Sequence, residues 1–192
     1  MTNWNTGGLP SRRPKRIAIW IAGGMLLLGM PLLLFSITQQ GTIIMIHDIS
    51  TDLEDPPVFE ALLSRRAGAS NPAEHLGSAV AAEQRRAFPD IQPLWLKEPL
   101  ERVFADAQAA AKRMGWEIVS TTPERGRLEA VATTPLLRFK DDVVVRVTSR
   151  DDGVRVDVRS KSRVGRSDLG ANARRIRAFL EHLQEISVPA GK

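Results

Sequence analysis

Asp142–Val164, DVVVRVTSRDDGVRVDVRSKSRV, is the stretch that decides the fold. On either side of Asp151-Asp152-Gly153, valines recur every second residue, with charged or hydroxyl residues between most of them. That is the period of a strand, and the Asp-Gly pair between two such runs marks a tight hairpin. Two strands are expected, Asp142–Ser149 and Val154–Val164. Val143, Val145 and Val147 share one face of the first, and Val154, Val156 and Val158 share one face of the second. The opposite faces carry Arg146 on the first strand and Arg155, Asp157, Arg159, Lys161 and Arg163 on the second. Asp141 and Asp142 stand where the first strand begins.

Moving upstream, Leu128–Thr134 (LEAVATT) and Trp116–Thr121 (WEIVST) read as two further strands. Before them, Leu100, Val103, Phe104, Ala107, Ala110, Ala111 and Met114 recur at helical spacing. Pro99 suits the start of that helix and Gly115 its end. Downstream, Ser167 or Asp168 caps a last helix reaching about Glu185, with Leu169, Ala173, Ile176, Phe179, Leu180 and Leu183 on one face. Thr42–His47 (TIIMIH) is expected to be a short strand, Asp48–Pro57 a loop, and residues 58–97 mostly irregular, with a weak helical stretch at Val58–Arg66. The sum is an α+β domain over residues 42–188. It is an antiparallel meander of four to five strands packed against two helices.

The net charge of +5 does not describe that domain. Arg12, Arg13, Lys15 and Arg16 supply four of the five charges, and residues 41–192 hold 23 basic against 22 acidic side chains. A nucleic-acid footprint belongs on the folded domain, so the sequence pI of 10.2 does not point to one. Directly after the basic cluster, Ile17–Ile37 runs for 21 residues without a charge, long enough to cross a hydrocarbon core as a helix. Basic residues before the span and acids after it orient it with residues 1–16 in the cytoplasm. The expected arrangement is a single-pass signal anchor in a bacterial inner membrane, touching the bilayer through Ile17–Ile37, with the domain in the periplasm or outside.

Chemistry is harder to place. The absence of cysteine excludes disulfides, thiolate nucleophiles and cysteine metal sites. There is no phosphate-binding glycine loop, no HExxH and no nucleophile elbow. His47, Ser50 and Asp52 are close in sequence, but a triad is a matter of geometry rather than of neighbours. His75 and His182 are isolated, so no metal site and no cofactor are expected. Weak catalytic candidates are the carboxylates Asp48, Asp141 and Asp142. Residues 155–177 hold eight basic and two acidic residues and run from a strand into a helix start, where backbone N–H groups favour anions. The binding candidates are therefore Arg146, Asp157, Arg159, Arg163, Arg166, Asp168, Asn172 and Arg175, for an unidentified polar or anionic ligand or a protein partner. The competing readings are a solvated face laced with ion pairs, and a helix capped internally by Asp168. Gly170, in the first turn of that helix, suggests close backbone approach.

HDISTD (47–52), PPVF (56–59), FPDIQP (88–93), GWEIV (115–119), EAVATTPLLRFKDD (129–142) and VDVRSKSRVGRSDLGANARRIRAFL (156–180) resemble the family called domain of unknown function 1499. The resemblance implies no reaction. It places Asp48, Asp52, Asp90, Asp141, Asp142, Arg146, Asp157, Arg159, Ser160, Ser162, Arg163, Gly165, Asp168, Gly170, Asn172 and Arg175 within family-like motifs. Where related sequences carry aromatics before the acidic pair, this chain has leucines in Thr133–Phe139. The functional expectation is a membrane-anchored binding or interaction module using its Arg/Asp-rich sheet face. A carboxylate-dependent hydrolase or transferase and a lipid-binding module are the alternatives.

Overall fold

The structure, a computed structural model, describes residues 45–188 apart from positions 76 and 136. The basic tail 1–16, the span expected at Ile17–Ile37 and the first residues of the strand expected at Thr42–His47 lie outside the described residues. No helix among the described residues is long and apolar enough to cross a membrane.

The elements run β1 (Asp48–Ser50), α1 (Ser78–Ala87), β2 (Leu94–Leu96), α2 (Leu100–Arg113), β3 (Glu117–Thr122), β4 (Arg127–Thr133), β5 (Lys140–Arg150), β6 (Gly153–Ser162) and α3 (Ala171–Ser187). The central hairpin forms as the valine pattern requires. β5 and β6 pair antiparallel from Asp141↔Ser162 to Arg150↔Gly153, so the turn has two residues. All pairings are antiparallel, in the order β1-β6-β5-β4-β3, and β2 lies against the other half of the β6 edge.

Three expectations change. The first strand is Asp48–Ser50, inside the stretch assigned to a loop, because Ile49 enters the core while Asp48 and Ser50 face the opposite side. Polar residues that suit a turn suit this strand equally, since its polar face meets charges. Second, residues 58–97 contain a helix, α1, and a sheet strand, β2, while Val58–Arg66 forms only a short 3₁₀ turn at Ala61–Arg65. The Gln84 amide of α1 explains the first of these. It accepts from the Ser50 N–H at 3.0 Å and donates to the Ser50 carbonyl at 2.6 Å, closing the free edge of β1 as a neighbouring strand would. Third, Gly170 has φ +77°, and an added Cβ would meet only side chains; its backbone conformation, and no close backbone approach, explains the glycine.

Helices α2 and α3 cover one face. Val143, Val145, Val147, Val154, Val156 and Val158 all join this core, and Trp116 stacks on Phe179 with ring centroids 5.1 Å apart. The other face is covered by the chain between β1 and α1. It carries a small apolar cluster of Phe59, Leu62, Val131 and Val144, set among charged groups. The sheet is thus the middle of three layers.

Gly126 makes the β3–β4 connection possible. It has φ +58°, its carbonyl accepts from the Val147 N–H at 2.7 Å, and a Cβ there would lie 2.0 Å from the Val147 carbonyl oxygen. Gly126→Ala is expected to cost about 2 kcal/mol or more in denaturant unfolding, from backbone strain and a lost ladder bond. A cost below about 0.5 kcal/mol, the ordinary range for a surface change, would contradict this close approach.

Candidate functional site

The Arg/Asp face is built in rows across the sheet. In the first, Asp48 of β1 stands opposite Lys161 of β6, which stands opposite Asp142 of β5. The second holds Ser50, Arg159, Val144 and Glu129. In the third, Asp157 pairs across to Arg146, whose other neighbour is Arg127. Like charges face each other only in that last contact, and each arginine there has its own acids. Arg127 bonds Glu129 at 2.9 Å, and Arg146 reaches Asp52 at 3.0 Å, Asp55 at 2.8 Å and Asp157 at 3.3 Å.

These charges are not open to solvent. Arg159 is 1% exposed and Asp48, Asp142 and Lys161 are 0% exposed. The segment from Thr51 to His75 lies over them and is held at many points. Arg159 grips Asp48 with two parallel bonds of 2.8 Å, and also donates to the carbonyls of Pro57 and Ala73. Its guanidinium lies 4.7 Å from the Phe59 ring centroid. Lys161 donates to Asp48 at 3.0 Å and to the Glu74 carbonyl at 2.6 Å. From the cover, Arg66 ion-pairs with Asp142, whose other oxygen takes Arg163 at 2.7 Å. The buried Glu129 carboxylate accepts the backbone N–H groups of Glu60, Ala61 and Leu62, an anion at the start of the 3₁₀ turn. Asp52 closes its own turn through the N–H groups of Glu54 and Asp55, and its second oxygen takes Arg146 and Arg155.

Burial opposes ionisation of Asp48, but the hydrogen bonds and charges of Arg159 and Lys161 outweigh it and hold the carboxyl below its ordinary value. Asp52 is lowered in the same way: burial is opposed by two backbone N–H groups and by Arg155 and Arg146. For Lys161 burial wins over the attraction of Asp48, and its pKa falls. His75, beside the same cluster, is kept neutral more firmly than a free imidazole, by burial and by the nearby Arg159 and Lys161 charges.

Asp168, Asn172 and Arg175 lie elsewhere, at the start of α3. The Asp168 carboxylate accepts from the N–H groups of Gly170 and Asn172 at 2.8 and 2.7 Å, so it fills the anion position of this helix start. Asn172 ties Ser160, Ser162 and the His47 carbonyl together. Arg175 pairs with Asp141 at 2.5 Å. Arg166 is exposed, and His47 rather than a ligand meets its carbonyl. The structure therefore divides the eight binding candidates into the covered face (Arg146, Asp157, Arg159 and, at its rim, Arg163) and the α3 start. The three catalytic candidates do not share a pocket. Each is buried against its own cations, Asp48 against Arg159 and Lys161, Asp141 against Arg175, and Asp142 against Arg66 and Arg163. Among the described residues no group of three or more His, Asp or Glu is placed to hold a metal ion.

Sequence reasoning missed Glu129, Arg66 and Gln84. Glu129 had a signal, an acid within an otherwise apolar strand; Arg66 and Gln84 had none. It also passed over an open feature. A groove of about 480 Å³ lies between the β4–β5 connection and the loop leading to α3, walled by Leu137, Phe139, Val164 and Leu169, with Asp141 and Arg174 at its margin.

A family model described as "Protein of unknown function (DUF1499)" matches residues 48–183. No curated protein matches the chain. Among solved structures, the crystal structure of TTHA0849 from Thermus thermophilus is similar at 15% identity over 52% of this chain and 97% of that one, with a TM-score of 0.32.

Removing one partner of a buried pair strands the other: Asp48→Ala leaves Arg159 and Lys161 without their carboxylate, whereas Lys161→Met removes a costly buried charge and leaves Asp48 both of its bonds from Arg159. Asp48→Ala should cost about 3–5 kcal/mol in denaturant unfolding, and Lys161→Met should stay within about 1 kcal/mol of the unchanged chain. Because Asp48 and Asp52 are lowered in the folded state, their contribution is present above their ordinary values and is lost as pH falls through the folded ones. Acid unfolding is expected to begin below about pH 4, with a shallower acid limb in Asp48→Asn. Equal losses for Asp48→Ala and Lys161→Met would contradict the assigned roles.

Proposed function

The chain belongs to the DUF1499 family, whose description supplies no activity, and on that premise we propose that it is a single-pass, membrane-anchored extracytoplasmic binding module working at the bilayer surface. The Arg/Asp face, which the sequence offered to a ligand, serves in this reading as the internal frame. Its donors are spent on the segment from Thr51 to His75, and a ligand there would have to displace that segment. The carboxylates are committed to arginines, which leaves no free general acid or base among them. One observation carries the reading: the open groove lies at the end of the sheet where the described chain begins. The Ser162 N–H bonds the His47 carbonyl, the Asp168 N–H bonds the Ile46 carbonyl, and Ser162 and Asp168 both line the groove. The apolar stretch 17–37 precedes this point in the sequence.

The cysteine-free sequence makes the topology directly testable. In intact cells with a permeabilised outer membrane, a membrane-impermeant maleimide should label Asp152→Cys in the β5–β6 turn. It should label Ser11→Cys only after the inner membrane is broken. Labelling in the reverse order, or recovery of the chain in the soluble fraction, would overturn the proposal.

A further inference from the structure

We propose that the groove end of the domain is a membrane-docking surface that seats Leu137, Phe139, Val164 and Leu169 in the interface of an anionic phospholipid bilayer. The inference rests on the membrane-anchored reading above and names the partner of its open surface.

Four observations favour a lipid surface. The first is exposure: Leu137 is 65% and Leu169 72% exposed, with Phe139 and Val164 beside them in the wall of one groove. Large apolar side chains gathered on one exposed surface mark a contact with another apolar phase. The second is backbone strain. Arg138 (φ +56°) and Leu169 (φ +51°) are the only non-glycine residues with positive φ among the described residues; Leu169 lines this groove, and Arg138 stands between Leu137 and Phe139, which line it. A leucine held left-handed and turned outward costs the fold on both counts, which is the pattern of a site kept for contact rather than for packing.

Third is charge. Arg174 lines the groove, Arg138, Lys140 and Arg166 are neighbours in sequence of residues that line it, all four are exposed, and none forms an ion pair among the described residues. The acids at the same end are already engaged: Asp141 by Arg175, Asp142 by Arg66 and Arg163, Glu117 by Arg65, and Asp168 by the N–H groups of α3. Apolar side chains at an end of the domain whose exposed cations hold no ion pair suit an anionic headgroup layer over acyl chains. The fourth is reach. Seven residues separate Ile37 from Met45, where the described chain begins. Fully extended they reach about 25 Å, so the groove end is tethered near the bilayer that the anchor crosses. The β5–β6 turn lies one strand length, about 35 Å, away at the other end of the sheet.

The test uses the full chain in lipid nanodiscs, with a polarity-sensitive fluorophore on a single introduced cysteine, Leu169→Cys, or Phe139→Cys as a second, independent position. Asp152→Cys is the control at the far end. With about one third phosphatidylglycerol in phosphatidylcholine, emission from positions 169 and 139 should shift to the blue. It should also be quenched at least twofold by a lipid carrying a spin label, while position 152 stays unquenched. Raising the salt to 1 M, or the triple change Arg138→Glu, Lys140→Glu and Arg166→Glu, should remove most of that quenching, because the cations act through screened attraction. Water-like emission from 169 and 139 in these anionic nanodiscs would overturn the docking surface. So would blue-shifted emission that lipid-borne quencher does not reach, since a protein or a small apolar ligand would then fill the groove. The anchored reading fails separately, through the maleimide pattern described above. Normal topology with a water-exposed groove would refute this inference alone.

Discussion

One carboxylate, Asp48, holds the two outer parts of the molecule to the sheet. It is 0% exposed, gripped by two bonds from Arg159 and one from Lys161. The same two cations reach past it to the carbonyls of Pro57, Ala73 and Glu74. The edge strand β1, the segment after it and the charged half of β6 therefore depend on one cluster. Without the carboxylate, two positive charges would remain in a low-dielectric layer with only carbonyl dipoles to face, a far costlier state than the intact cluster.

Such a cluster is an expensive way to fill a layer, and apolar residues of similar volume would often serve stability as well. Its selective value lies in register. On the helix side, a two-residue slip of β6 along β5 leaves every valine still facing the core, so apolar packing does not forbid it. On the opposite side, the slip would set Arg146 against Arg155 or Arg159 in place of Asp157. Together with the two-residue turn, the charge rows leave one alignment. They also decide which segment covers the face, because Asp142 needs Arg66 and Glu129 needs the amides of Glu60, Ala61 and Leu62.

The helix-facing half of the domain was legible in the sequence because it obeys periodicity. The valines of β5 and β6 and the apolar stripes of α2 and α3 announce both their elements and their inward faces. The covered half was legible only as an alternation of charge. Residues such as Asp48, Arg159 and Lys161 have the composition of a solvated face, and composition does not report whether a further segment of chain lies on top. Deciding that requires the long-range partners, Arg66 for Asp142 and Gln84 for Ser50, which no local pattern predicts. Short strands suffered similarly. Asp48–Ser50 and Leu94–Leu96 have three residues each, too few for a period to show. The groove was overlooked because Leu137 lies in a loop, and because Val164 and Leu169, which continue the patterns of the last strand and helix, stand outside β6 (Gly153–Ser162) and α3 (Ala171–Ser187) and face outward.

Whether the Arg/Asp face is an internal frame or a site beneath a removable cover is best decided by amide hydrogen exchange on the full chain in nanodiscs under native conditions. The backbone N–H groups of Glu60, Ala61 and Leu62 are bonded to Glu129 only while the segment is in place. They should exchange at the slow rate of the Val145 amide in β5, which lies between β4 and β6 inside the sheet, through global unfolding alone. Exchange at least a hundredfold faster than Val145 would show the cover opening by itself, and would make the Arg/Asp face once more a surface that a ligand can reach.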